Sequence, residues 1–171
     1  MTEQPTAYAA QPEPTSTYAE WGDRAIAYLW DVLYMWPTWI AFIGSTVALV
    51  AGLIANDNDG DSGVALIIAG GLGLLVATVW SVIRFVRNSM LRQGRTGQTW
   101  GKAKVGIWVV SAQTGSVPGV GSCVGRYFLH WLINQAFYLD YLWPLWDPQK
   151  QTLTDKILTT VVIKPQSKPQ R

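Results

Sequence analysis

Two long oily stretches dominate the pattern. Residues 25–55 are apolar apart from Asp31 and a few hydroxyls, and residues 64–83 carry no charge at all. As a helix the first would measure about 46 Å, more than the ~30 Å of a bilayer's hydrocarbon core, and the second has the length of one crossing. The excess in the first predicts a tilt, a bend, or a turn or two among lipid headgroups. Pro37 offers the bend, because it removes the hydrogen bond to the Leu33 carbonyl. Trp30, Tyr34, Trp36 and Trp39 crowd its amino-terminal half, as an interfacial aromatic belt would. In the second stretch Gly70, Gly71 and Gly73 form a small-residue face that lets another helix approach, whether from another membrane protein or from a second copy.

Weaker patterns fill the remainder. The alternation in 103–111, with Val105, Ile107 and Val109 on one face, predicts a strand, and the β-branched run 157–163 predicts another. A lone strand leaves its ladder unsatisfied, so the two should pair as a ribbon in one compartment. Residues 120–146 are apolar and aromatic but interrupted by Arg126, His130, Asn134, Gln135 and Asp140. A re-entrant or interfacial helix suits them better than a third full crossing, since it keeps both flanks on one side. Residues 1–20, rich in Pro, Thr and Gln, read as a disordered tail, and 164–171 as a short basic one. The acidic turn at 56–63 opens like a calcium loop, but the carboxylate required at the twelfth position is missing, so a plain polar turn is expected.

Composition supports lipid as the solvent. Charged residues make up 14%, well under the ~25% of soluble domains, and ten tryptophans suit a membrane boundary. Arg84, Arg87, Arg92, Arg95, Lys102 and Lys104 follow the second stretch with no acid between residues 62 and 139, while the loop between the stretches holds acids alone. The positive-inside rule then puts 84–104 and the amino terminus in the cytoplasm. The net charge of +2 is too small to suggest nucleic acid. One cysteine and one histidine exclude an internal disulfide and most metal sites, and no secretory leader pattern is visible in 1–20. No cofactor is expected. The expected fold is therefore an all-α membrane protein. It has two transmembrane helices, a third apolar segment and a cytoplasmic two-stranded ribbon.

Several motifs resemble one known family. Arg24-Ala25-Ile26-Ala27 leading to Asp31 resembles an R-x-x-A-x-x-x-D opening of a first helix. Gly97-Gln98-Thr99-Trp100-Gly101-Lys102 with Gly106-Ile107-Trp108-Val109-Val110 resembles a G-Q-T-x-G-K…G-x-x-V-V segment. Arg126 precedes the third apolar stretch, and Gln151 to Lys156 with Thr160-Val161-Val162 resembles a Q-[ST]-x-x-D-K…T-x-V-V close. In this order, across residues 20 to 163, they resemble the RDD family of small integral membrane proteins. Trp100, Trp108 and Thr159 depart from its pattern. The resemblance implies a membrane domain over 21–163 and little about activity. Cation–proton antiport and general transport are the activities proposed for some members.

The candidate chemistry is sparse. Arg24 and Asp31 lie two helical turns apart on one face, and a charge inside the bilayer costs about 2.5–3.5 kcal/mol, so Asp31 needs a partner such as Arg126. It could serve a cation or proton pathway, or pin helices together. Arg126, His130 and Asn134 make a polar stripe that lines a cavity or faces the surface of an interfacial helix. Asp140 could cap a turn or pair with Arg126, and Asp155 should start or steady the last strand. Gly101-Lys102 fails as a phosphate loop, because Thr96 and Ala103 occupy the positions that need glycine and a hydroxyl. No catalytic triad or carboxylate pair is present, so no enzyme is expected. An accessory protein that binds other membrane proteins fits best, with an oligomeric cation or proton transporter subunit as the alternative.

Overall fold

A computed structural model describes residues 16–56, 60–137 and 139–165. The expectations for residues 1–15, for 57–59 of the acidic turn, and for 166–171 lie outside the described residues.

The chain folds into an apolar helical hairpin attached to a layer of short helices and one small sheet. The long helix expected over 25–55 is two helices, α1 (Trp21–Tyr34) and α2 (Trp36–Asn56), parted at Met35. Pro37 sits at the second position of α2, where its missing N–H leaves no bond unmade. The backbone N–H and the hydroxyl of Thr38 both donate to the Met35 carbonyl, closing the new helix start. Arg84 donates to the Tyr34 carbonyl at the end of α1 and lies 4.1 Å over the Tyr34 ring. A cation there also complements the α1 dipole.

The second stretch is longer than its charge-free core. Helix α3 (Gly60–Phe85) runs into a π-helical segment, Val86–Arg92, and then α4 (Gln93–Thr96). Helices α2 and α3 pack tightly along their length. A Cβ on Gly70 would collide with the Leu49 backbone, one on Gly73 with the Ser45 hydroxyl, and one on Gly52 would sit 2.6 Å from the Ile67 nitrogen. The glycine face expected to meet a partner is therefore largely filled within the chain, and of the three glycines Gly71 alone has open space. Only 11% of each span's most apolar window is buried. A water-soluble protein would not leave two such helices bare.

The layer beyond the hairpin departs from the two-strand expectation. Residues 100–105 form a helix, α5 (Trp100–Val105), instead of the first part of a strand. Thr99 caps its start by accepting from the Lys102 nitrogen, and Gly106, at φ 74°, ends it in the left-handed conformation that favours glycine. Strand β2 is confined to Trp108–Ser111. The run 157–163 is divided between the end of α8 (Leu153–Ile157) and strand β3 (Thr160–Pro165). A third strand, β1 (Ser16–Tyr18), comes from the tail expected to be disordered. The antiparallel order is β1-β3-β2, with Tyr18 and Trp108 both opposite Ile163. Ala19, Ala27, Ile107, Val109 and Val162 form the buried core between this sheet, α1 and α5.

Helix α6 (Val120–Phe137) packs against the π-helical segment, α4 and α8, and the Phe85 and Tyr127 rings meet edge to face at 4.4 Å. A short α7 (Leu139–Leu142) and a 3₁₀ turn (Trp143–Leu145) complete the third apolar segment.

Candidate functional site

Three aspartates hold the layer together, each on a different helix, Asp140 and Asp155 buried and Asp31 half-buried. Asp155 lies at the start of α8 and is inaccessible to solvent. Its backbone and side chain form a reciprocal capping box with Thr152, which satisfies donors at the helix start. Arg24 from α1 reaches one carboxylate oxygen at 2.9 Å, and Arg126 from α6 binds the other. Thr160 at the start of β3 also donates to it, at 3.1 Å. Burial opposes ionisation of Asp155, but Arg126 and Arg24 outweigh it and hold the carboxyl well below the usual range. Arg24 donates further to the Lys150 carbonyl, so one side chain ties α1 to two parts of the carboxy-terminal region.

Asp31 has a different environment from the expected ion pair. Arg126 is taken by Asp155, and neither it nor Arg24 reaches Asp31. The Asp31 oxygens instead accept from Asn88 at 2.9 Å, from the Gly101 nitrogen at 2.8 Å and from the Thr99 hydroxyl at 2.6 Å. Asn88 in turn accepts from the Trp100 nitrogen. Gly101 is required here, since a Cβ would run into the Ala27 carbonyl and lie 2.8 Å from the Asp31 carboxyl carbon. Neutral donors from two helices thus hold the half-buried carboxylate in place of a direct ion pair.

Asp140 does not pair with Arg126 and instead satisfies a backbone donor in the first turn of α8. It binds His130, whose ring stacks on Tyr141, and accepts from the nitrogen and hydroxyl of Thr154 at 2.8 and 2.9 Å. Burial disfavours the Asp140 carboxylate, yet His130 and Thr154 bring its pKa below the ordinary value. The Arg126/His130/Asn134 stripe consequently divides. Its first two members face α7 and α8, while the Asn134 amide turns back to the His130 carbonyl.

The remaining motif residues are positioned by backbone geometry. Gly97 has φ 74° and ends α4, with the Val109 carbonyl 2.8 Å from where a Cβ would stand. Gln98 donates to the Ile107 carbonyl. Lys102 turns inward and donates to Gln93 at 2.9 Å, and burial lowers its pKa to about 8. Asn88, Gln93, Thr99, Thr152, Thr154 and Thr160 were not among the residues singled out by their chemistry. The T-x-x-D spacing of Thr152 and Asp155 was a readable capping signal, but nothing local marks Asn88 or Thr160 as partners of a distant aspartate.

A cleft of about 620 Å³ opens between α1, the hairpin and α6. Its apolar end holds Val32, Trp39, Phe42 and Phe85, and its inner end holds Asp31, Lys102, Arg126 and His130. A second hollow, on the side of Trp21 and Pro144, shares the same inner residues. Among the described residues no group of three or more His, Cys, Asp or Glu could hold a metal ion.

A bare apolar hairpin, locked by interior carboxylates to a sheet-bearing layer, defines a small helical membrane protein. Residues 18–159 match the model of the RDD family, and the chain belongs to that family. It is also similar to the Proline-rich antigen homolog of Mycobacterium tuberculosis (strain CDC 1551 / Oshkosh), at 29% identity over 164 residues, 91% of this chain and 67% of that one. The Proline-rich antigen of Mycobacterium leprae (strain TN) is 38% identical over 96 residues, 54% of this chain and 39% of its own length. No solved structure matches.

Proposed function

We propose that the protein is a multi-pass, non-enzymatic accessory protein of the cell membrane that associates with other membrane proteins. One observation carries the reading. Asp31, Asp140 and Asp155 are each bound by several donors of the same chain, so they act as clasps, while the outward faces of α2 and α3 remain apolar and uncovered. A proton relay needs acids that can release their partners, and none of the three is so placed. The transport alternative gains nothing from the family match or from the relatives' names.

The sheet and the basic residues together support one orientation. Antiparallel pairing of β3 with both β1 and β2 keeps residues 16–18, 108–111 and 160–165 on one side of any bilayer that α2 and α3 cross. The basic residues after α3 favour the cytoplasm for that side. The 120–146 segment then enters or lies in the interface and returns, and the amino terminus is cytoplasmic.

Photo-crosslinkers placed at Ile43 and Val76, both exposed on the hairpin, test the association. Defined protein adducts at these positions, absent from a crosslinker at Gln113, are expected in intact membranes. Sodium–proton exchange in reconstituted liposomes that disappears in Asp31→Asn would replace the accessory reading with transport.

A further inference from the structure

The cleft beside α1 has two chemically distinct ends. Toward the hairpin it is walled by Val32, Trp39, Phe42 and Phe85, all of them on or flanking helices that face lipid. At its inner end stand Lys102 and Arg126, and both also border the adjoining hollow. Lys102 is only half-buried, because part of its surface borders these hollows. It uses one ammonium N–H on Gln93, which leaves two for a ligand. Arg126 binds Asp155 and Thr160 through Nη2, and no other hydrogen bond of its guanidinium falls among the described residues. Asp31 is the one carboxylate on the wall, and three neutral donors already occupy its oxygens. The π-helical segment widens the wall here and turns Asn88 and Ser89 toward the space, a common use of π geometry at ligand sites.

We propose that this cleft binds one anionic membrane phospholipid, its phosphate on Lys102 and Arg126 and its acyl chains running out along Trp39 and Phe42. Its volume falls within the ~300–1,000 Å³ range of single-ligand sites, enough for a headgroup, glycerol and the first methylenes, with the tails continuing into the bilayer. The occupant must be both anionic and amphiphilic. A soluble phosphate would leave the aromatic end empty, and a zwitterionic lipid would bring a cation against Lys102 and Arg126. A phosphate there also offsets the burial and the neighbouring Arg126 that disfavour the Lys102 charge, adding to the weaker favourable field of Asp31. The proposal rests on α2 and α3 lying in the bilayer.

Protein extracted from membranes in mild detergent and stripped of lipid is melted with added phosphatidylglycerol, phosphatidylcholine or glycerol phosphate. Retained lipid is counted by native mass spectrometry. Phosphatidylglycerol is expected to raise the melting temperature by several degrees and stay bound at one per chain, and the other two to do neither. Lys102→Gln should weaken retention by about tenfold, the worth of one charge-assisted hydrogen bond. Ser81→Trp, which fills the apolar end without touching the cations, should abolish the shift and reads the same site if Lys102→Gln does not fold. Equal shifts with phosphatidylcholine or glycerol phosphate, or unchanged retention in Ser81→Trp, would overturn the proposal. Full-length chain found in the supernatant of detergent-free lysates would instead overturn the membrane reading beneath it.

Discussion

Arg24 and Asp155 stand 131 positions apart in the chain and meet at 2.9 Å, the carboxylate sealed from solvent. Arg126 closes on the other oxygen, so a single anion organises α1, α6 and α8. Removing it leaves two buried guanidinium groups facing one another. Asp155→Asn is expected to cost about 3–5 kcal/mol, as breaking a buried pair does. Chemical unfolding in detergent measures this, and a loss under 1 kcal/mol would mean the clasp is dispensable.

The same carboxylate sets an acid limit. Its folded pKa lies below the unfolded value of about 3.9, so its stabilisation is complete above that value and is lost as pH falls toward the folded pKa. Melting temperature should therefore drop below about pH 4, and Asp155→Asn should flatten that slope.

Lys102 works in the opposite range. Its folded pKa of about 8 lies under the ordinary 10.5, so the unfolded chain binds more protons between the two values. Stability of the lipid-stripped protein should rise as pH climbs from 8 toward 10. Lys102→Met should remove this rise, and a rise that persists in the variant would assign it to another group.

Gly101→Ala tests the close passage of α5 beneath α1. The added Cβ meets backbone at Ala27, which cannot swing aside, so a loss of about 1–3 kcal/mol is expected. Gly71→Ala, with open space around it, serves as the control and should change the melting temperature little.

Accessibility checks the arrangement across the bilayer. In a Cys123→Ser background, Asn58→Cys should react with impermeant maleimide on intact cells, whereas Gln113→Cys and Lys164→Cys should react only after permeabilisation. Labelling of Lys164→Cys from outside, with Gln113→Cys silent, would contradict the pairing of β2 with β3.

The two long apolar helices were legible because apolar length alone decides them. The break at Met35 was half legible: Pro37 marked a bend, but the Arg84 contact that steadies it comes from another helix. Helix α5 was misread because Val105, Ile107 and Val109 alternate like a strand. Its true signals were the Thr99 cap and Gly106, which ends the helix between Val105 and Ile107. Strand β1 was invisible, since three residues in a Pro- and Thr-rich stretch gain their order only from β3. Arg24, Asp31, Arg126, His130 and Asp140 stand out in the sequence as polar residues in or beside apolar stretches and Asp155 as part of the closing motif, but pairing them required the tertiary fold. Opposite charge suggested Arg126 for Asp31, whereas the structure gives Asp31 an amide, a hydroxyl and a backbone N–H.

Strand β1 precedes every other described element and its neighbour β3 follows them all, so the sheet pairs the two ends of the described fold. During synthesis Arg24 and Arg126 are made before Asp155, so both wait for an acceptor that only α8 supplies. A chain cut short before α8 would present two uncompensated arginines and a sheet without its central strand.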